Sequence, residues 1–379
     1  MRKFNMTSRV RNVVTLCASL LIAGAVSAQS IFTGLGDLPG GFTSSGAWGL
    51  SGNGLVAIGI ANSSNGGEGF RWTKSTGMSG LGVLLPSNPL SLAYATNLNG
   101  EVVVGVSESS TGSEPFRWTE AGGMVGLGHL SGTSGVGAAW GVNAGGDVVV
   151  GYSYGPNGRE AFRWTESGGM QGLGDLAGGI FDSWAYDVSA DGSRVVGSGY
   201  TSTDEKPFLW MPGTGMQDLG DLPGGISAGA ASAINDIGSV IVGASHSTSG
   251  KEAFRWESGQ MVGLGDLAGG EFSSIARDVS NDGTVIVGEG TTENGREAFY
   301  WTETLGMVNL YDYLISEGAT GLDGWILESA RGVSTDGLTI TGTGINPLGQ
   351  FEGWVAHIPA PSSCVVLAIG GVLVSRRRR

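Results

Sequence analysis

Short apolar runs alternate with polar, glycine-rich breaks along almost the whole chain, and the same run returns at a nearly fixed interval. Written from its second copy, the pattern is Ala93-Tyr94-Ala95-Thr96-Asn97, then Asn99-Gly100, then Val102-Val103-Val104-Gly105. A polar loop follows, then Pro115-Phe116-Arg117-Trp118-Thr119 and Gly123-Met124-Val125-Gly126-Leu127-Gly128. Each piece is short, β-branched or aromatic, and bounded by Gly, Asn, Asp or Ser, which predicts a strand. The pairs Phe70/Trp72, Phe116/Trp118, Phe162/Trp164, Phe208/Trp210, Phe254/Trp256 and Phe299/Trp301 keep the tryptophans 46 residues apart four times and then 45. A seventh, degenerate copy ends in Trp354 after a step of 53. A period of this size marks a repeat architecture. Four short antiparallel strands in ~46 residues suit one propeller blade.

Counting gives the architecture. The Leu of the Leu-Gly piece stands at 35, 81, 127, 173, 219, 264 and 310, so both series number seven but are out of step. Ile31–Leu38 precedes the first full copy, and nothing follows Trp354 in that phase. The expected fold is therefore all-β: a seven-bladed β-propeller over residues 30–358, closed by the N-terminal strand. Closure removes sheet edges that would otherwise template aggregation. Asn99-Gly100, Asp191-Gly192, Asp282-Gly283 and Asp336-Gly337 read as hairpin turns with positive φ at both central residues. Period-two alternation sends Phe116 and Trp118 to one face, where the aromatics are expected to fill the spaces between blades. A glycine after each second strand (Gly59, Gly105, Gly151, Gly197, Gly243, Gly288, Gly342) never varies. That points either to a special backbone conformation or to a close approach.

The ends change the reading of charge. Residues 1–28 carry a basic start (Arg2, Lys3, Arg9, Arg11), an apolar run from Val13 to Ala25 and a small-residue cleavage site at Ala28, the pattern of a secretory signal peptide. Residues 359–379 hold Pro359-Ala360-Pro361-Ser362, a short apolar stretch, and Arg376, Arg377, Arg378 and Arg379. Each end carries four basic residues and no acidic one, which leaves 12 basic against 34 acidic residues in the body, a formal charge of −22. Such a surface repels phosphate backbones, so nucleic acid is excluded as a partner. Both cysteines lie in the ends, so the body has no disulfide framework.

Two resemblances attach to these motifs. The tail resembles the PEP-CTERM sorting signal of bacterial surface proteins, although Ala360 stands where that signal has its central Glu. The resemblance implies transient anchoring through the C-terminal tail, recognition by sorting and processing machinery at the membrane, and an extracellular or cell-surface location. The repeat, in Glu160-Ala161-Phe162-Arg163-Trp164, Gly169-Met170 and Leu173-Gly174-Asp175-Leu176-Ala177-Gly178-Gly179, resembles the HAF family of probable extracellular repeats. Glu160, Glu252 and Glu297 replace the His of the family name. This second resemblance implies an extracellular protein and brings no catalytic residue or ligand.

Candidate chemistry is sparse. After the recurring Ala of the first strand (Ala47, Ala93, Ala139, Ala185, Ala231, Ala276, Ala330) stand Trp48, Tyr94, Trp140, Tyr186, Ser232, Arg277 and Arg331. The first strand of a propeller blade is innermost. Four aromatics facing two arginines would suit a sugar ring and an acidic group, unless alternation turns these side chains into the blade interfaces as packing. Asp187-x-Ser189-x-Asp191-Gly192 and Asp278-x-Ser280-x-Asp282-Gly283 match the opening of a calcium loop, making Asp187, Asp191, Asp278 and Asp282 candidate ligands, and equally match hairpin-turn chemistry. The insertion Tyr311–Glu317 reads as one or two helical turns, either on a binding face or sealing the seam. His129, His246 and His357 fall at unrelated repeat positions, and no nucleophile elbow, zinc helix or phosphate loop is present, so no catalytic residue is assigned. The expected protein is an exported binding or structural module for extracellular polysaccharide or another surface component. A carbohydrate-active hydrolase or lyase with its site in the channel is the alternative.

Overall fold

The chain folds as an all-β protein in the computed structural model, which describes residues 30–130, 135–202 and 204–358. The signal-peptide and tail readings fall outside those residues. Within them the chain forms four-stranded antiparallel groups in sequence order, the second being Ser91–Thr96, Val102–Ser109, Gly112–Thr119 and Gly123–Gly126. Seven such groups are present among the described residues, the third and fourth merging through one parallel pair, Arg159 with Asp182. The seventh takes Ile326–Val333, Thr339–Ile345 and Phe351–His357 from the end of the chain and Ile31–Gly34 from its start, with Gly34 opposite Trp354. The N-terminal strand is thus shorter than the Ile31–Leu38 run. Leu35 and Leu38 lie beyond it and are buried.

Each group packs on the next, and the first strand of group one packs on the seventh. The junctions reuse the same polar clamps. Ser91 accepts from the Gly69 amide and donates to the Gly82 carbonyl, and Ser183 and Ser274 repeat this two and four groups further on. Ser45 does the same to Gly353 and Gly36, one partner from each end of the chain. Glu68, Glu114, Glu160 and Glu252 accept from the amides of Gly82, Gly128, Gly174 and Gly265, while Glu352 accepts from Gly36. The turns between first and second strands are also tied in succession. The links run Asn53 to Leu98, Asn97 to Ala144, Asn143 to Ala190, Ala190 to Asp236, Asn235 to Asn281, Asn281 to Thr335, and Thr335 back to Gly52. Where the third strand carries Arg71, Arg117, Arg163 or Arg255, its guanidinium donates to the turn carbonyl of the following group. Leu209 replaces that arginine in group four, and Arg194 reaches the Gly238 carbonyl instead.

Three details of the sequence reading change. The conserved aromatic positions are not equivalent: Phe70, Phe116, Phe162, Phe208, Phe254 and Phe299 are fully buried, whereas the paired tryptophans are half-buried and face Met78, Met124, Met170, Met216, Met261 and Met307 across the sheet. Trp354 pairs with Gly342 as Phe116 pairs with Gly105, so it takes the phenylalanine position and Ala356 the tryptophan one. Second, the turns carry positive φ only at glycine, 73° at Gly100 and 72° at Gly192, with Asn99 and Asp191 on the ordinary side. A longer turn in which Asn97 or Ser189 caps the next strand's amides removes the need for two left-handed residues. Third, the invariant glycine of the second strand has an ordinary φ. Its constraint is close approach, since a Cβ at any of the seven would strike a first-strand carbonyl oxygen.

The insertion forms an α-helix, Leu310–Ser316, capped by Asn309. Leu310 and Leu314 are buried in one cluster with Phe32, Leu327 and Trp354, so the helix covers the junction where the two chain ends meet. Among the described residues no helix is long and apolar enough to cross a membrane.

Candidate functional site

The residue after each recurring alanine is the bulged residue of its first strand. Pairing with the second strand jumps from Ala47 to Gly49, Ala93 to Ala95, Ala139 to Gly141, Ala185 to Asp187, Ala231 to Ala233, Ala276 to Asp278 and Ala330 to Gly332. A bulge leaves one residue out of the ladder and re-aims its side chain. That breaks the alternation which would have sent these side chains into the interfaces. All seven instead line one cavity of about 810 Å³, so Trp48, Tyr94, Trp140, Tyr186, Arg277 and Arg331 are brought together. Each is half-buried.

The aromatics form a continuous arc. Trp48 stacks on Tyr94 with ring centres 5.5 Å apart and planes 12° apart. Tyr94 meets Trp140 at 5.6 Å, and Trp140 meets Tyr186 at 4.8 Å. Burial pushes the hydroxyls of Tyr94 and Tyr186 up to about 12, so both are neutral donors at physiological pH. The Trp140 indole N–H has no hydrogen-bond partner.

The arginine side is more occupied than the sequence suggested. Arg277 Nη2 lies 2.6 Å from Glu289 Oε1, and Arg331 Nη2 and Arg296 Nη1 each stand 3.9 Å from the same carboxylate. Burial raises the Glu289 pKa, but Arg277, a hydrogen bond from Ser329 and Arg331 together outweigh it and hold the carboxyl below the usual range. Sequence reasoning missed Glu289. The available signal was its position: after the invariant glycine the other groups carry Ile60, Val106, Tyr152, Ser198, Ala244 and Thr343, none charged. Lys251, Glu205 and His246, from the fourth and fifth groups, also line the cavity and were equally missed.

The candidate calcium residues separate into two roles. Asp187 accepts from its neighbour Val188 and from Ile234 of the next group, at 2.8 and 2.9 Å. Asp278 does the same with Val279 and Val333, both at 2.8 Å. Both residues line the cavity while their carboxyl ends are enclosed. Burial, with a neighbouring aspartate adding, pushes Asp187 up to about 8 and Asp278 up to about 7. Asp191 and Asp282 sit in the turns, taking donors from Ser189, Ser193, Ser280 and Thr284, and hydroxyl and amide donors hold Asp191 down at about 2. Each of the four is thus engaged by protein donors. Among the described residues no group of three or more His, Cys, Asp or Glu is placed to hold a metal ion.

No protein-family model matches the sequence, and no curated protein is significantly similar to it. Similar solved structures include an oligogalacturonate lyase from Vibrio parahaemolyticus, with TM-score 0.53 and 11% identity over 83% of this chain and 89% of that one. A prolyl endopeptidase aligns with TM-score 0.53 and 9% identity over 82% of this chain and 49% of that one. TolB from Acinetobacter baumannii aligns with TM-score 0.47 and 15% identity, and the chain spans 62% of its length. At such identities the likeness speaks for the fold alone. The fold is β-propeller-like.

Proposed function

We propose that residues 30–358 form a closed seven-bladed β-propeller that is exported and acts at the cell surface as a non-catalytic binding module for extracellular polysaccharide. The observation that carries the binding reading is the arc of four aromatics in successive ring contact along one cavity wall, placed there by strand bulges. Aromatic faces with polar tips match the apolar faces and hydroxyl rims of sugar rings. Closure is supported by Ser45 and Glu352, which repeat at the junction of the chain ends the clamps found elsewhere. Export and surface sorting rest on the signal-peptide and tail motifs in the sequence.

The competing reading is a carbohydrate-active enzyme, because Asp187, Asp278, Asp236 and Glu205 also line the cavity. Binding is the better account, since Asp187 and Asp278 spend both carboxylate oxygens on backbone amides. A glycan array probed with the protein, followed by product analysis on every hit, tests this. Retention of an intact oligosaccharide, lost in Trp140→Ala, supports the module. Cleavage abolished by Asp278→Asn would replace it with the enzyme.

A further inference from the structure

Basic residues are scarce in this body, and their positions are uneven. Of the 12 between residues 30 and 358, Arg71, Arg117, Arg163, Arg194 and Arg255 serve turn carbonyls. Arg159 is paired with Asp182 and Lys206 with Asp221, and Lys74 is exposed on a turn. The remaining four, Lys251, Arg277, Arg296 and Arg331, come from three successive groups and gather about Glu289. These four cations stand about Glu289, with Glu205 also acting on Lys251, in a body whose formal charge is −22, while Asp187, Asp236 and Asp278 line the same cavity. Crowding the partly buried Lys251, Arg277 and Arg331 together is costly unless a counter-charge arrives.

The donors are also incompletely used. The Nε groups of Arg277 and Arg331 are enclosed and lack a hydrogen-bond partner, beside a Glu289 side chain only 6% exposed. Burial, with Arg277 adding, lowers the affinity of Lys251 for its proton, and the same two influences act on Arg331. A network built only for stability would not crowd like charges this way. Arg277 and Arg331 hold the bulge position that carries the aromatics in groups one to four, so cations and rings line the same cavity.

We propose that the Lys251, Arg277, Arg296 and Arg331 cluster is a subsite for the anionic substituent, carboxylate or sulfate ester, of a glycan whose rings lie on the aromatic arc. The proposal rests on the polysaccharide-binding reading and narrows it to acidic glycans. Glu289 is the resident counter-ion shared by Arg277, Arg296 and Arg331. Bidentate guanidinium contacts suit either acid group.

Calorimetric titration of the full chain with a neutral β-glucan oligosaccharide, an alginate oligosaccharide and a sulfated galactan oligosaccharide tests it. The expected result is that one acidic probe binds at least ~10-fold more tightly than the neutral one, with affinity falling as salt rises. Which acidic probe wins identifies carboxylate or sulfate. Arg331→Gln and Lys251→Gln should bring that probe to the neutral level, while Glu289→Gln should not weaken it. Equal binding of all three probes, unchanged in Arg331→Gln, overturns the anion subsite and leaves glycan binding standing. Arg331-dependent binding of free sulfate or acetate with no sugar bound keeps the anion site and overturns the glycan reading. If the variants lower thermal stability and nothing binds to the parent protein, the cluster is a structural network and the proposal falls.

Discussion

Two regions of each repeat face opposite demands. At the junctions between sheets the same residues recur: a buried Phe (Trp354 in the seventh group), a glycine under a carbonyl, a fully buried alanine and, in most groups, a serine clamp. At the cavity wall the bulged position holds Trp, Tyr, Trp, Tyr, Ser, Arg and Arg in turn. Junctions have one geometry to satisfy seven times, so close packing leaves little choice of side chain. The wall has no such shared constraint, and each copy is free to differ. On the binding reading proposed above, uniformity reports on folding and variation at a fixed backbone position on recognition.

The largest effect should come from the one junction made by both chain ends. Deleting residues 30–38 removes Phe32, Leu35 and Leu38 from the core and strips Ser45 and Glu352 of their Gly36 partner. Three buried apolar side chains at ~1.5–3 kcal/mol each suggest a loss of several kcal/mol. A steep fall in Tm or aggregation on light scattering is expected. A truncated protein that melts with the parent would show that this junction is unlike the rest. Next in size, Gly197→Ala drives a methyl into the Trp184 carbonyl oxygen. Overpacking of this kind costs ~1–3 kcal/mol, and more where the backbone cannot shift. The same substitution at Gly36, at φ 72° with open space around it, strains only the local backbone and should lower Tm less.

Most of the junction was legible in the sequence, because residues such as Phe162 and Gly151 repeat and repetition exposes what is structural. The wall was half legible. Trp48, Tyr94, Trp140 and Tyr186 stood out by type, but whether they faced the cavity or the interface depended on a bulge. A bulge is a register slip between strands, and no single side chain announces it. The cationic cluster was hidden for another reason. Arg277 and Arg331 share the bulged position, Lys251 and Arg296 share a third-strand position three before the buried Phe, and Glu289 follows the invariant glycine, so three repeat positions from three groups meet only when the sheets are stacked. The phase of Trp354 misled because an aromatic of the wrong type fills the phenylalanine site.

A smaller effect, and one that probes the boundary between wall and junction, is pH-dependent. Asp187 and Asp278 line the cavity yet staple adjoining first strands. Their folded pKa values, about 8 and about 7, lie above the ~4 of an unfolded aspartate. The folded state therefore binds more protons than the unfolded one between those limits, and stability falls as pH rises from ~4 to ~8. Asp191, held near 2, acts oppositely: its contribution is present above ~4 and lost as pH falls toward 2. Thermal melts should peak in mildly acidic buffer and drop by pH 8.5. Asp187→Asn combined with Asp278→Asn should flatten that drop at the cost of two staples. An unchanged alkaline decline in the double variant would place its origin elsewhere.

The smallest stability effect should come from the wall itself, and it bears most directly on the comparison. Trp140 and Phe162 belong to the same group and are both large aromatics. Phe162 is fully enclosed at its junction, and Phe→Ala at such a site costs ~3–5 kcal/mol. Trp140 is half-buried, and its nearest ring contacts also face the cavity, Tyr94 at 5.6 Å and Tyr186 at 4.8 Å, with Tyr152 edge-on at 6.1 Å. Each such pair is worth ~0.5–1.5 kcal/mol. Against that loss, truncation removes an indole N–H that has no partner, a group whose enclosure itself costs ~1–3 kcal/mol. The two terms offset, so Trp140→Ala should move Tm by only a few degrees while Phe162→Ala collapses it. Side-by-side melts decide the matter. If Trp140→Ala destabilises as severely as Phe162→Ala, the tryptophan is there for packing, and variation around the cavity wall no longer marks a recognition surface.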